Sequence, residues 1–159
     1  MISKDTIVAI SNNCDESKFY YTHDGGVNWY VNYTPKSSSN YTLFFRVVEK
    51  TIYVLGRNIY KSIDFGKTFT TLIDSSEAAN LKIQKIHDID VIGQNIFAVG
   101  NNEEKEIHFY QSQNNGLNWI SSKLSNENDI ASLTFFDSTK GFVSFNDKLM
   151  QTKDGGENW

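Results

Sequence analysis

One proline and one cysteine in 159 residues, and no arginines beyond Arg46 and Arg57, are the first limits on what this chain can be. A single proline set against 11 Phe, 8 Tyr and 3 Trp speaks for a packed, strand-rich fold rather than a disordered one. Cys14, being alone, can form no intrachain disulfide and no cysteine-based zinc site, and it leaves the compartment open. Apolar runs stay far short of the roughly eighteen residues that a membrane-spanning helix needs. The opening residues 1–6 carry no long apolar stretch, so no secretory signal is read there. A basic patch is missing too: 15 Lys+Arg against 19 Asp+Glu give a net charge of −4, which turns the reading away from nucleic acid. No glycine-rich loop leads into a helix, and neither a cofactor nor a metal is expected.

What the chain does contain is an internal repeat. Four eight-residue segments align, at 22–29, 62–69, 112–119 and 152–159. Ser or Thr comes first (Thr22, Ser62, Ser112, Thr152) and Asp or Asn third (Asp24, Asp64, Asn114, Asp154). Gly is fifth (Gly26, Gly66, Gly116, Gly156) and Trp or Phe eighth (Trp29, Phe69, Trp119, Trp159). These types describe a tight hairpin turn. The carboxylate or amide accepts from nearby main-chain N–H groups, glycine supplies positive φ, the hydroxyl ties the strands and the ring plugs the turn into the core. Their expected role is structural.

β-type segments surround each turn. Strands are expected to enter the turns at 18–22, 59–62, 107–112 and 148–152, and to leave them at 28–33, 68–73 and 118–124. Paired runs at 42–48 and 51–55, 83–92 and 95–99, and 130–136 and 141–145 precede them, and residues 75–82 read as a short helical turn. Four strands per repeat make a blade, so the expected fold is all-β: a β-propeller of about four four-stranded antiparallel blades, complete or partial. The repeat units are 1–36, 37–78, 79–126 and 127–159 within a single domain. The first unit opens near its second strand and the fourth stops at Trp159. A fragment of a longer protein, two chains completing one ring, and a four-bladed ring all fit, the first being preferred. The partial forms would expose apolar end faces and self-associate.

Ser/Thr-x-Asp-x-Gly-x-x-Trp/Phe at the third hairpin of each blade resembles the Asp-box, or BNR, repeat. Propellers with that repeat include sialidases, xyloglucan-cleaving glucanases, sortilin-type receptors and photosystem II assembly factors. The last unit, from Phe136-Asp137 to Trp159, is most similar to the assembly-factor type. The resemblance implies a non-enzymatic scaffold that binds another protein through the loops opposite the turns, where Tyr33, Lys36, Tyr41 and Arg57 are the candidate anchors. The alternative it implies is a carbohydrate-binding or glycoside hydrolase fragment.

Chemistry is sparse. Sialidases resemble one another in clasping a carboxylate with three arginines, and Arg46 and Arg57 cannot supply three. Asp88 and Asp90 alternate on one strand, which sets their side chains about 6.6 Å apart on one face, close to an inverting glycosidase pair. The positions matching them in the fourth unit are Ser132 and Thr134, so the pair also reads as a polar stripe facing a channel or a neighbouring blade. His23, His87 and His108 lie on separate elements, and Glu103–Glu106 reads as a solvated loop. Asn32 and Asn40 begin glycosylation sequons, with meaning only in a eukaryotic secretory setting.

Overall fold

Apolar–polar alternation around the four turns produces four antiparallel sheets in a computed structural model that describes residues 5–12, 17–33 and 44–159. The strands are β1 (Ile7–Asn12), β2 (Ser17–Thr22), β3 (Tyr30–Tyr33), β4 (Phe44–Val48), β5 (Thr51–Leu55), β6 (Ile59–Ser62) and β7 (Thr70–Ile73). After helix α1 (Ser75–Asn80) come β8 (Ile83–Ile92), β9 (Asn95–Asn102), β10 (Ile107–Ser112), β11 (Ile120–Ser125), β12 (Ala131–Phe135), β13 (Gly141–Phe145) and β14 (Lys148–Thr152). Each sheet is a meander in chain order: β1-β2-β3, β4-β5-β6-β7, β8-β9-β10-β11 and β12-β13-β14. The chain divides into two compact units, Met1–Leu72 and Ile73–Trp159, each holding two sheets.

The strands leaving the turns begin two residues later than the sequence suggests, at Tyr30, Thr70 and Ile120. The reason is local: the main-chain N–H groups of Asn28, Thr68 and Asn118 are held inside the turn by the side chains at its third position. The helical turn is also shorter than residues 75–82. Asp74 caps it by accepting from the N–H groups of Ser76 and Glu77 at 2.8 Å, and it ends at Asn80.

Within each unit, one sheet lies face down on the next. In the first unit Val8 and Phe19 of sheet β1–β3 pack on Ile52, Val54 and Tyr60 of sheet β4–β7. Phe45 and Phe69 meet the Phe19 ring edge-on at 6.2 and 5.7 Å. In the second unit Phe97, Val99, Ile107 and Phe109 pack on Ala131, Leu133, Phe135, Val143 and Phe145, with Phe97 stacked on Phe135 at 3.7 Å. Burying each such side chain stabilises by about 1.5–3 kcal/mol.

The fifth-position glycine couples turn to core. Gly66 has φ +86 and Gly156 φ +98, conformations that suit only glycine well. Each is also overlain by a phenylalanine of the preceding sheet. A Cβ on Gly66 would come within 2.1 Å of the Phe19 ring, and one on Gly156 within 2.3 Å of the Phe109 ring. Gly93, at φ +62, has nothing within 4 Å and serves as the control. Gly66→Ala and Gly156→Ala combine positive-φ strain with overpacking and are expected to destabilise by about 2–5 kcal/mol in urea unfolding, whereas Gly93→Ala shows the strain alone, about 1–2 kcal/mol. Equal losses in all three would disprove the packing role of the turn glycines.

Candidate functional site

The repeated residues form the same hydrogen-bonded knot four times. In the first turn the Thr22 hydroxyl donates to Asp24 Oδ1 at 2.7 Å and accepts the Gly26 N–H at 3.1 Å. Asp24 in turn accepts the Asn28 N–H at 2.9 Å. Ser62–Asp64–Gly66, Ser112–Asn114–Gly116 and Thr152–Asp154–Gly156 repeat this arrangement. The main-chain N–H of the residue four positions on, together with the hydroxyl and amide side chains, holds the carboxyls of Asp24 and Asp154 down at about 2. Sequence reading passed over the seventh position. Asn28, Thr68 and Asn158 each send a side-chain donor to the second carboxylate oxygen, and the signal was visible as Asn, Thr, Asn, Asn at one offset. The rings diverge: Trp119 is buried with its Nε1–H on Gly116 O at 3.1 Å, while Trp29 is 45 % exposed.

Asp88 and Asp90 face a neighbouring sheet. β8 and β12 are both edge strands, so alternate N–H groups of β12 have no strand to bond. Side chains of β8 take them instead. The Ala131 N–H donates to His87 Nδ1 at 3.0 Å, the Leu133 N–H to Asp88 Oδ2 at 3.1 Å and the Phe135 N–H to Asp90 Oδ2 at 2.9 Å. The Ser132 hydroxyl adds a 2.6 Å bond to Asp88 Oδ2. The other carboxylate oxygens accept from Ile89 and Val91 N–H groups, both at 2.9 Å. With every oxygen accepting a hydrogen bond, the pair forms a side-chain ladder between sheets.

A bulge aims this ladder. The register of β8 on β9 shifts between Ile83 and Lys85 and again between Ile86 and Asp88, which turns His87 towards β12. Gly100 makes room for it, since a Cβ there would lie 2.1 Å from the Lys85 carbonyl oxygen. Burial, then the charge of Lys85, push the His87 imidazole from 6.5 down to about 4, so the ring stays neutral and keeps Nδ1 as an acceptor.

The remaining histidines do not converge with it. His108 lies beside Glu106 and Asn102 at 3.4 and 3.1 Å. Of the Glu103–Glu106 group, Glu104 pairs with Lys82 and Glu106 with Lys123. His23 joins an aromatic run in the first unit: Phe65 to His23 at 5.3 Å, His23 to Tyr21 at 5.4 Å, and Tyr21 stacked on Tyr30 at 5.3 Å. Tyr30 is 53 % exposed, and Val27, Trp29 and Val31 are exposed around it. Phe65 sits at φ +63, where the other turns place Gly25, Asn115 and Gly155. A bulky residue in that region is strained by about 1–2 kcal/mol.

Of the loop-side candidates, Arg57 is half-exposed between β5 and β6. Lys36, Tyr41 and the Tyr33 side chain lie outside the described residues, as do Cys14 and Asn40. The Asn32 amide is committed within the fold, with Nδ2 donating to Gly66 O at 2.9 Å and Lys67 O at 2.5 Å.

Solved structures with a similar fold include two whose matches cover the whole of this chain. One is an ancestral GH74 enzyme, at 16 % identity and a TM-score of 0.62, the match covering 100 % of this chain and 24 % of that one. The other is YCF48 bound to D1 peptide, at 12 % identity and a TM-score of 0.52, covering 100 % and 79 %. The chain has the β-propeller fold. It spans about a quarter of the length of the GH74 enzyme it matches. No protein-family model matches the sequence, and no curated protein matches it at the sequence level. At these identities the likeness extends to the fold alone. Among the described residues no helix is long and apolar enough to cross a membrane.

Asp88→Ala would orphan the buried Leu133 N–H and is expected to lower stability by about 1–3 kcal/mol in urea unfolding. His87 adds a pH dependence. Its folded pKa, about 4, lies below its ordinary 6.5, so the unfolded chain takes up the proton first as pH falls. Stability is therefore lost progressively between those two values. His87→Asn keeps an acceptor without the titration and should flatten this slope; an unchanged slope would remove His87 from the seam's energetics.

Proposed function

We propose that this chain is a non-enzymatic Asp-box propeller segment that serves as a docking scaffold for a partner protein. The observation that carries the reading is the run of rings Phe65, His23, Tyr21 and Tyr30 in the first unit, held on two hydrogen-bonded turns and the strands β2 and β3, and partly exposed. Exposed aromatics on a rigid frame bind with little ordering cost. Phe65, kept at a strained φ in a turn where glycine also fits, extends the run rather than relieving the backbone. The chain's charge of −4 favours a partner segment that brings arginine or lysine, whose cation can rest on a ring face. Arg57, Tyr33, Lys36 and Tyr41 are proposed as further contacts on the loop side. The shared fold with a YCF48 structure that holds a peptide is in keeping with this reading, as is the engagement of Asp88 and Asp90 in the sheet seam.

The test is binding by fluorescence anisotropy to labelled extended peptides with and without arginine, run beside a panel of β-glucan oligosaccharides. Arginine peptides are expected to bind, and Tyr30→Ala to weaken them about tenfold, in the range of a lost aromatic anchor. Phe65→Gly restores the residue type of Gly25 and Gly155, so it should weaken binding while leaving the unfolding midpoint near the original. Glycan binding lost in the same variants would replace the protein reading with the carbohydrate one. Hydrolysis of a glucan that vanishes in Asp88→Asn would overturn the non-enzymatic assignment.

A further inference from the structure

We propose that the outward face of sheet β12–β14 docks on the outward face of sheet β1–β3 in a second copy of this chain, repeating between molecules the packing found inside each unit. The repeat makes the comparison position by position. Three residues before each turn, the strand that enters it carries Phe19, Ile59, Phe109 or Leu149. Phe19 is fully buried beneath Gly66 of the following sheet, and Phe109, at 2 % exposure, beneath Gly156. Leu149, the fourth member of the series, is 68 % exposed. Beside it Phe142 is half-buried, with Phe136 edge-on to it at 5.9 Å. Among the described residues, no turn glycine covers Leu149 as Gly66 covers Phe19 and Gly156 covers Phe109.

The receiving positions show the converse. One strand over, Val54 lies opposite Tyr60, Ala98 opposite Tyr110 and Val143 opposite Met150. Val54, Ala98 and Val143 are fully buried. The matching pair in the first sheet is Ala9 opposite Tyr20, both only half-buried, and Val31, opposite Tyr20 on β3, is 52 % exposed. Gly26, at φ +96, is the turn glycine of that sheet, and the atoms nearest its missing Cβ belong to its own Trp29, at 3.6 Å, rather than to a residue of another sheet. Leu149 of one copy therefore has its counterpart seat beside Gly26 of the second.

The apolar part of this face is small. Ser132, Thr134, Ser144 and Gln151 are exposed around Phe142 and Leu149, so the patch is small and framed by polar groups. Such a face tolerates water in the free chain and gives an association that responds to concentration. Because the two surfaces differ, the contact is heterologous and leaves one face of each kind unused, to be closed by a reciprocal contact or extended by another copy.

Light scattering across a dilution series tests this with the full chain, Leu149→Glu and Ala9→Glu. The unaltered chain is expected at twice 18.2 kDa or above at high concentration, and each variant alone at 18.2 kDa. Mixing the two variants is the decisive step. Leu149→Glu retains the receiving face and Ala9→Glu the delivering one, so the mixture should form a one-to-one pair. A single-chain mass for the unaltered protein at every concentration overturns the proposal. So does a variant that associates like the original, or a mixture that stays at single-chain mass. Circular dichroism melts confirm that each variant is folded; if Ala9→Glu is not, Val31→Glu on the exposed β3 takes its place.

Discussion

Everything in this fold hangs on a phenylalanine seated beneath a turn glycine. The side-chain knot at the Gly66 and Gly156 hairpins fixes a backbone conformation that glycine alone accepts comfortably, and the same missing Cβ admits a ring from the neighbouring sheet. Local turn chemistry and inter-sheet packing are thus one constraint. A change to either partner is felt by both, because interiors this close-packed cannot absorb a methyl group without moving.

Periodicity made the sheets legible. The four turns, the strands beside them and their meander order could all be read from residue types and offsets, because turn residues act locally and alternation needs no knowledge of the partner. What could not be read depends on which sheet lies against which. Nothing near Asp88 in the sequence says that its carboxylate will meet the Leu133 N–H on a strand 45 residues away. The bulge that turns His87 into the same seam is equally hidden, since the clue is a glycine on the adjoining strand, Gly100, with no marked neighbours. Phe65 is a third case. Its place in the turn was plain, but not its positive φ or its contact with His23.

Function separates from fold along the same line. The shared architecture accommodates an enzyme and a peptide-bound protein alike, so the decision falls to side chains that the architecture does not dictate. The two carboxylates that most resembled a catalytic pair are consumed in holding sheets together, and the polar loops of the second unit largely satisfy themselves through Lys–Glu pairs. Among the described residues, the exposed aromatic run of the first unit and the exposed apolar face around Leu149 have no such structural duty.

The side-chain ladder between β8 and β12 also blurs the usual boundary of a sheet. Ala131, Leu133 and Phe135 donate to imidazole and carboxylate groups where a strand would ordinarily supply carbonyls. Their amide protons are therefore as sequestered as those of a central strand, and deuterium would enter them slowly although β12 is an edge. A protection map of this chain would thus draw two sheets as one continuous surface. The span that opens together in the native state would be set by where the aspartates stand, not by where the strands end.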